Sequence, residues 1–191
     1  RGHAFEARLY AEDVPKGFLP ATGTLAHLGF PAGCRADSGV RTGDAISPFY
    51  DPMIAKIITH GPTRDVALSR MRAALGGTQV AGTVTNLGFL SALCAHPGFA
   101  AGDVDTGLIG RDLDALVAVP AARPADLALA ALAALGLLAD GPDHGGFALW
   151  SPRVWTVTLE HEGDVLEARV ACDGPDRRRV MLGADTVQAL R

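Results

Sequence analysis

Glu6 and Arg8 stand two positions apart in "GHAFEARLYAED", the stretch from Gly2 to Asp13. Phe5, Ala7 and Leu9 alternate with Glu6, Arg8 and Tyr10, a period of two that predicts a strand with one apolar and one polar face. Residues two apart on a strand share a face, so a carboxylate and a guanidinium stand together there. A guanidinium is permanently charged and carries a rigid fork of donors, which suits it to hold an anion or to stabilise an oxyanion as it develops. The plainer reading of the same pattern is a solvated face on a half-exposed strand. Asp51, in "SPFYDPMIAK", sits between Tyr50 and Pro52 at the mouth of a second strand, where its carboxylate can pair with an arginine and orient it. Its plainer reading is an Asx-type turn residue ahead of Pro52.

Other chemistries find less support. Lys56, inside an apolar strand, reads as an edge or solvent-facing lysine, and His3 has no second histidine at metal spacing. The glycines form neither a dinucleotide-binding nor a phosphate-loop pattern. No G-x-S-x-G elbow and no cysteine in a catalytic signature supplies a nucleophile. Arg177 to Arg179 can contact an acidic partner, although a solvated strand end explains them as well. With 17 basic against 21 acidic residues, the chain carries no electrostatic footprint for nucleic acid or an anionic membrane. Cys34, Cys94 and Cys172 are odd in number and far apart, which indicates free thiols rather than a disulfide framework or a zinc site. The most apolar segment, "LALAALAALGLLAD" from Leu127, is Ala-rich, internal and too short to span a membrane.

The elements that would position these residues are predicted as follows. After the first strand, "PKGFLPATG" reads as a loop. "TLAHLGF" from Thr24 and "MIAKIITH" from Met53 read as strands separated by turns around Gly39 and Gly43, giving an antiparallel sheet. Past Gly61 the period becomes helical, with Val66, Met71, Ala74 and Leu75 on one face and Gly76-Gly77 at the end. "TNLGFLSALCAH" predicts a second helix with Thr85 as N-cap and Pro97 just beyond its end. "GDVDTGLI" reads as a return loop, followed by a short polar helix from Arg111 to Leu116. The Pro/Ala-rich "VAVPAARPAD", Val117 to Asp126, reads as a domain boundary. An Ala/Leu helix opens at Pro124, a loop spans Asp140 to Gly146, and Trp155, Val157 and Leu159 begin a meander continued by "VLEARVAC" and "RRRVML". An antiparallel sheet that stops near Arg191 is expected to lack strands. Beginning on Arg-Gly-His, directly in strand-like sequence, the chain reads as a piece of a longer polypeptide.

In order and spacing, "RGHAFEARLYAED", "FLPATGTL", "DSGV", "SPFYDPMIAKIITHG", "RDVALSRMRAAL", "VAGTVTNLGFL" and "HPGFAAGDVDTGLI" resemble the C-terminal third of biotin carboxylase, from Arg1 to about Asp112. "LPATGTL" and "SPFYDPM" are most similar to the alpha subunits of methylcrotonyl-CoA carboxylases, within a pattern shared by propionyl-, geranyl- and acetyl-CoA enzymes. The resemblance implies an α+β fold: an antiparallel sheet with helices over residues 1–117, the C-terminal lobe of an ATP-grasp enzyme. Over 118–191 it implies a linker, a helix and the first strands of a partial antiparallel β-barrel. In relatives that barrel domain joins biotin carboxylase to the carboxyltransferase subunit.

The implied activity is ATP- and bicarbonate-dependent carboxylation of biotin, for transfer to methylcrotonyl-CoA or a related acyl-CoA. Arg8 falls at the biotin site, stabilising the enolate oxygen that appears when biotin loses its proton. Asp51 falls at the family's "YYD" carboxylate, with Phe49 in place of the first Tyr, and orients the arginine. Glu6 supports the same polar layer, and Arg35 lies in a region that contributes to the carboxylase dimer interface. The implied partners are the carboxyltransferase beta subunit, the biotin carboxyl carrier domain and a second biotin carboxylase. Residues for ATP and Mg2+ would lie upstream of Arg1, and the carrier, whose "AMKM" sequence does not occur here, downstream. The fragment alone is therefore expected to be inactive. The implied location is the cytoplasm, or the mitochondrial matrix in a eukaryote. The alternative function is a noncatalytic subunit-docking or assembly module, with a stand-alone ligand-binding domain as a third reading.

Overall fold

Alternation at the start of the chain produces β1 (His3–Tyr10), with Ala7 and Leu9 buried and Glu6 and Arg8 exposed. The computed structural model describes residues 1–138, 150–161, 163–174 and 176–190. These divide into two units, Arg1–Val119 and Pro120–Arg191. In the first unit β1 is followed by the short strands β2 (Glu12–Asp13), β3 (Leu19–Pro20), β4 (Gly23–Thr24), β5 (His27–Gly29), β6 (Arg35–Ser38) and β7 (Ala45–Ile46), then by the long β8 (Met53–Gly61). Helix α1 (Arg64–Gly77) precedes β9 (Gln79–Ala81), α2 (Leu87–Ala95), α3 (Pro97–Ala101) and α4 (Leu108–Leu116).

The main sheet has the order β1-β8-β6 and is antiparallel throughout, so β8 is its central strand and β1 an edge. Its inner face, with Ala7, Leu9, Ile54, Ala55 and Ile57, packs against Leu68, Met71, Ala74 and Leu75 of α1. Burying each of the leucine, isoleucine and methionine side chains among them contributes roughly 1.5–3 kcal/mol before entropy is counted. Thr63 caps α1 by accepting the Val66 N–H at 3.3 Å, and Asp65 places a negative charge in the first turn.

Several elements depart from the sequence reading. The single strand expected from Thr24 splits into β4 and β5, because each half pairs with a different partner, β7 and β9. Arg35–Ser38, expected near a turn, is instead the third strand of the main sheet. Pro97 lies just beyond the end of α2 as expected but also opens α3 at its first helical turn, where its missing N–H is tolerated. The polar helix begins at Leu108, earlier than Arg111. Asn86 rather than Thr85 occupies the N-cap position of α2, while the Thr85 hydroxyl accepts the Leu87 N–H at a long 3.4 Å.

In the second unit α5 (Pro124–Ala134) packs on a sheet of β10 (Val154–His161), β11 (Asp164–Gly174), β12 (Arg177–Leu182) and β13 (Asp185–Leu190), antiparallel and in that order. Ala128 and Ala131 let the helix backbone approach Ala168, Val170 and Val180 closely, with Leu132 filling the remaining space. A fourth strand thus follows the three read from sequence. The described residues form an open sheet with edges β10 and β13. The loop expected at Asp140 to Gly146 lies outside the described residues.

Candidate functional site on the edge strand

Glu6, Arg8, Tyr10 and Glu12 all line one cleft of about 260 Å³, together with Phe5 and Ala7 of β1, because the cleft lies along the edge of that strand. Leu90, Leu93 and Phe99 from α2 and α3 form much of its apolar wall. Arg8 Nε donates to Glu6 Oε1 at 3.1 Å, with the arginine side chain 64% exposed. Hydrogen bonding to the Glu6 carboxylate, and its charge, hold the Arg8 pKa above its ordinary value, and the guanidinium is a cation at any working pH. A solvated ion pair of this kind adds little stability. Its consequence is orientation of an available charge.

Across the sheet, Arg8 lies opposite Lys56, and Lys56 opposite Asp37. Lys56 therefore occupies the outer face of the central strand rather than an edge. Arg35 Nε and Nη2 both donate to Asp37, each at 2.8 Å, and this fork, with Lys56 adding to it, depresses the Asp37 pKa. Asp51 Oδ1 accepts the Met53 N–H at 2.9 Å, forming a turn across Pro52 at the entry to β8. Asp51 also acts on Glu12: partial burial, followed by the Asp51 charge, raises the Glu12 pKa. The structure thus brings Glu6 directly to Arg8, leaves Arg35 engaged within β6, and places Asp51 outside the Arg8 cleft, lining a separate depression with Asp37 and Tyr50. Phe49 and Tyr50, beside Asp51, are 94% and 85% exposed.

Two functional neighbours were not legible from the sequence pattern. Arg64, at the start of α1, lies 4.9 Å from the Phe5 ring centroid and 5.7 Å from that of Phe99, and its Nη2 donates to Phe99 O at 2.6 Å. It ties β1 to α3 at the end of the cleft through cation–π contact and a charged hydrogen bond. Asn86 is buried, and its side chain bonds the backbone of β1 at Tyr10 N and Arg8 O. A buried amide in a "TN" pair ahead of an apolar helix was the available signal, obscured because both residues also suit an N-cap.

Residues 6–111 match the family model described as the biotin carboxylase C-terminal domain. The mitochondrial methylcrotonoyl-CoA carboxylase subunit alpha of Oryza sativa subsp. japonica is 51% identical over 113 residues, which cover 58% of this chain and 15% of the relative. That of Dictyostelium discoideum is 47% identical over 140 residues, covering 72% of this chain and 20% of the relative. This chain therefore spans a fifth or less of these two proteins. Among solved structures, the biotin carboxylase domain of Hydrogenobacter thermophilus 2-oxoglutarate carboxylase, in complex with MgADP, ADP and bicarbonate, is similar with a TM-score of 0.60 and 31% identity. That likeness covers 63% of this chain and 27% of the solved one. With more than half its length matched by the family model, the chain belongs to the biotin carboxylase C-terminal domain family.

Proposed function

We propose that this chain is the C-terminal lobe of the biotin carboxylase in an acyl-CoA carboxylase alpha subunit of the methylcrotonyl type. The observation that carries the reading is an exposed, carboxylate-oriented guanidinium, Arg8, in a cleft with apolar walls, within a sequence about half identical to methylcrotonoyl-CoA carboxylase alpha subunits. These residues fit biotin: Leu90, Leu93 and Phe99 offer an apolar wall to a neutral ring system, and Arg8 offers a donor fork to its polar edge. Biotin, when bound, supplies the nitrogen that accepts the carboxyl group.

The chain's own part is electrostatic. Arg8 meets negative charge as it develops on the acceptor, and a fixed cation does so without solvent reorganisation. Glu6 supports it by holding Nε, leaving the outer nitrogens of the fork for the ligand. Asp51 acts through the backbone, fixing the turn that leads into β8, the strand against which β1 and Arg8 are registered. Arg35, locked to Asp37, presents a preset surface for a second biotin carboxylase.

ATP and Mg2+ are not held by the cleft around Arg8. Their binding belongs to the remainder of the enzyme, and residues 1–191 alone are inactive in this reading. Residues 118–191, with α5 against its open sheet, begin a domain that docks the carboxyltransferase beta subunit, and the biotin carrier lies elsewhere in the full chain. Among the described residues no helix is long and apolar enough to cross a membrane. The mitochondrial relatives favour the matrix in a eukaryotic source, and the cytoplasm follows in a bacterial one.

The test compares bicarbonate-dependent ATP hydrolysis and biotin carboxylation in the full-length enzyme and its Arg8→Ala variant. Carboxylation falling about 10²- to 10³-fold while ATP hydrolysis persists supports the reading. Unchanged carboxylation in a folded variant overturns it.

A further inference from the structure

We propose that Asn86 is a positioning residue for Arg8, acting as a peptide mimic on the open edge of β1. The inference rests on the reading of Arg8 given above.

β1 pairs with β8 on one side only. Residues 8 and 10, two apart, turn their N–H and C=O groups to the same side of the strand. At that site Asn86 Oδ1 accepts the Tyr10 N–H at 2.9 Å, Asn86 Nδ2 donates to Arg8 O at 3.2 Å, and the Asn86 backbone N–H donates to Tyr10 O at 3.1 Å. A carboxamide presents one acceptor and one donor in a plane, as a peptide unit does. One residue therefore supplies what a neighbouring strand would. Asn86 is 5% exposed, so these bonds lie away from competing water, and losing one leaves an expensive unpaired group.

The register fixed in this way belongs to Arg8 and Tyr10, both of which line the cleft. Asn86 is itself delivered by a constrained loop. Gly82, at φ +107°, packs so tightly that a Cβ there would overlap Thr24 O, and the Thr83 hydroxyl bonds Thr22 O at 3.3 Å. The amide that could have capped α2 makes no capping bond there. Its side chain is committed to β1.

The experiment uses the full-length enzyme with Asn86→Ala, the isosteric Asn86→Asp, Arg8→Ala and each Asn86 variant combined with Arg8→Ala. Asn86→Asp keeps the acceptor for Tyr10 N but sets an oxygen against Arg8 O. Biotin carboxylation is read as kcat and KM beside bicarbonate-dependent ATP hydrolysis, and amide hydrogen exchange of the β1 segment is followed in the same samples. The expected result is a carboxylation kcat lower by about 10- to 100-fold, the scale of a small misplacement at a reacting centre. ATP hydrolysis stays within about 3-fold and exchange rises in β1 without rising in β8. Each double variant should be no slower than Arg8→Ala alone, since a residue acting through Arg8 has nothing left to position. Multiplicative losses in the double variants would overturn the proposal, as would an Asn86→Asp enzyme with wild-type carboxylation beside an impaired Arg8→Ala. If Arg8→Ala itself carboxylates normally, the underlying site reading fails first and the positioning role fails with it. Should Asn86→Ala not fold, Asn86→Asp decides.

Discussion

The tripeptide Glu-Ala-Arg occurs in both units, as residues 6–8 of β1 and 167–169 of β11, and the two copies fold alike. Ala7 and Ala168 are buried, Leu9 and Val170 follow them into their cores, and the glutamate and arginine of each copy are exposed. The difference lies in the neighbours. β11 has a partner on both sides, with Thr156 and Met181 flanking Arg169 and Thr158 opposite Glu167. β1 is an edge whose second side is met by Asn86 and by the helices that wall the cleft. A strand pattern specifies which face is polar. A loop arriving at the strand's edge turns that face into a site.

The largest expected effect separates the two arginines. In the full-length enzyme Arg8→Ala should lower biotin carboxylation by about 10²- to 10³-fold, whereas Arg169→Ala, flanked by threonine and methionine on a central strand, should stay within about 2-fold, as for ordinary surface changes. Equal losses, measured as initial rates on folded protein, would break the comparison.

Next come two glycines with positive φ. At Gly82 an alanine meets both an unfavourable φ and the Thr24 carbonyl, while at Gly183, φ +58°, no atom lies within 4 Å of an added Cβ. Gly82→Ala should therefore cost about 2–3 kcal/mol and Gly183→Ala about 1 kcal/mol, as measured by denaturant unfolding. A Gly82→Ala cost no larger than that of Gly183→Ala would mean that the loop carrying Asn86 yields easily.

Much of this contrast was visible in the sequence. Period-two alternation located β1, β8, β10 and β11, and the helical period located α1 and α5, because each buries one face against a core. The sequence also placed Glu6 beside Arg8. What it concealed depends on long-range pairing: β6 is a strand only because β8 lies alongside it, and β4 and β5 separate only because their partners differ. Asn86 and Arg64 reach residues 76 or more and 35 positions away, beyond any local pattern. On its own residues Asp51 read first as a turn residue ahead of Pro52, with the orienting carboxylate as what the resemblance implied, and its hydrogen bond to Met53 N realises the turn.

The buried alanines sharpen the comparison at smaller scale. Ala168 is fully enclosed beneath α5, whose Ala128 and Ala131 share its cluster, while Ala7 retains 7% exposure beside the cleft. Overpacking by two methyl groups should cost about 2 kcal/mol for Ala168→Val and nearer 1 kcal/mol for Ala7→Val, read from unfolding midpoints. The reverse order would show that the first core is the less accommodating of the two.

The smallest effect concerns the carboxylate six positions beyond the glutamate of each tripeptide, Glu12 in one copy and Asp173 in the other. Asp173 is paired with Arg179 at 2.8 Å, so Asp173→Asn should lose up to about 1 kcal/mol at neutral pH. Glu12 instead lies near Asp51, and burial followed by that negative charge raises its pKa. A carboxyl whose folded pKa is raised binds its proton more tightly in the native state. Its favourable contribution is present in acid and is lost as pH rises from the unfolded value through the raised folded one. Glu12→Gln cannot ionise, so the variant should unfold later than wild type at pH 7, and the difference should vanish as the solution is acidified through the carboxylate range. Thermal unfolding at a series of pH values checks both signs. A Glu12→Gln protein less stable than wild type at pH 7 would mean that the Glu12 charge has a stabilising partner, and the polar row of β1 would then resemble that of β11 more closely than its neighbours indicate.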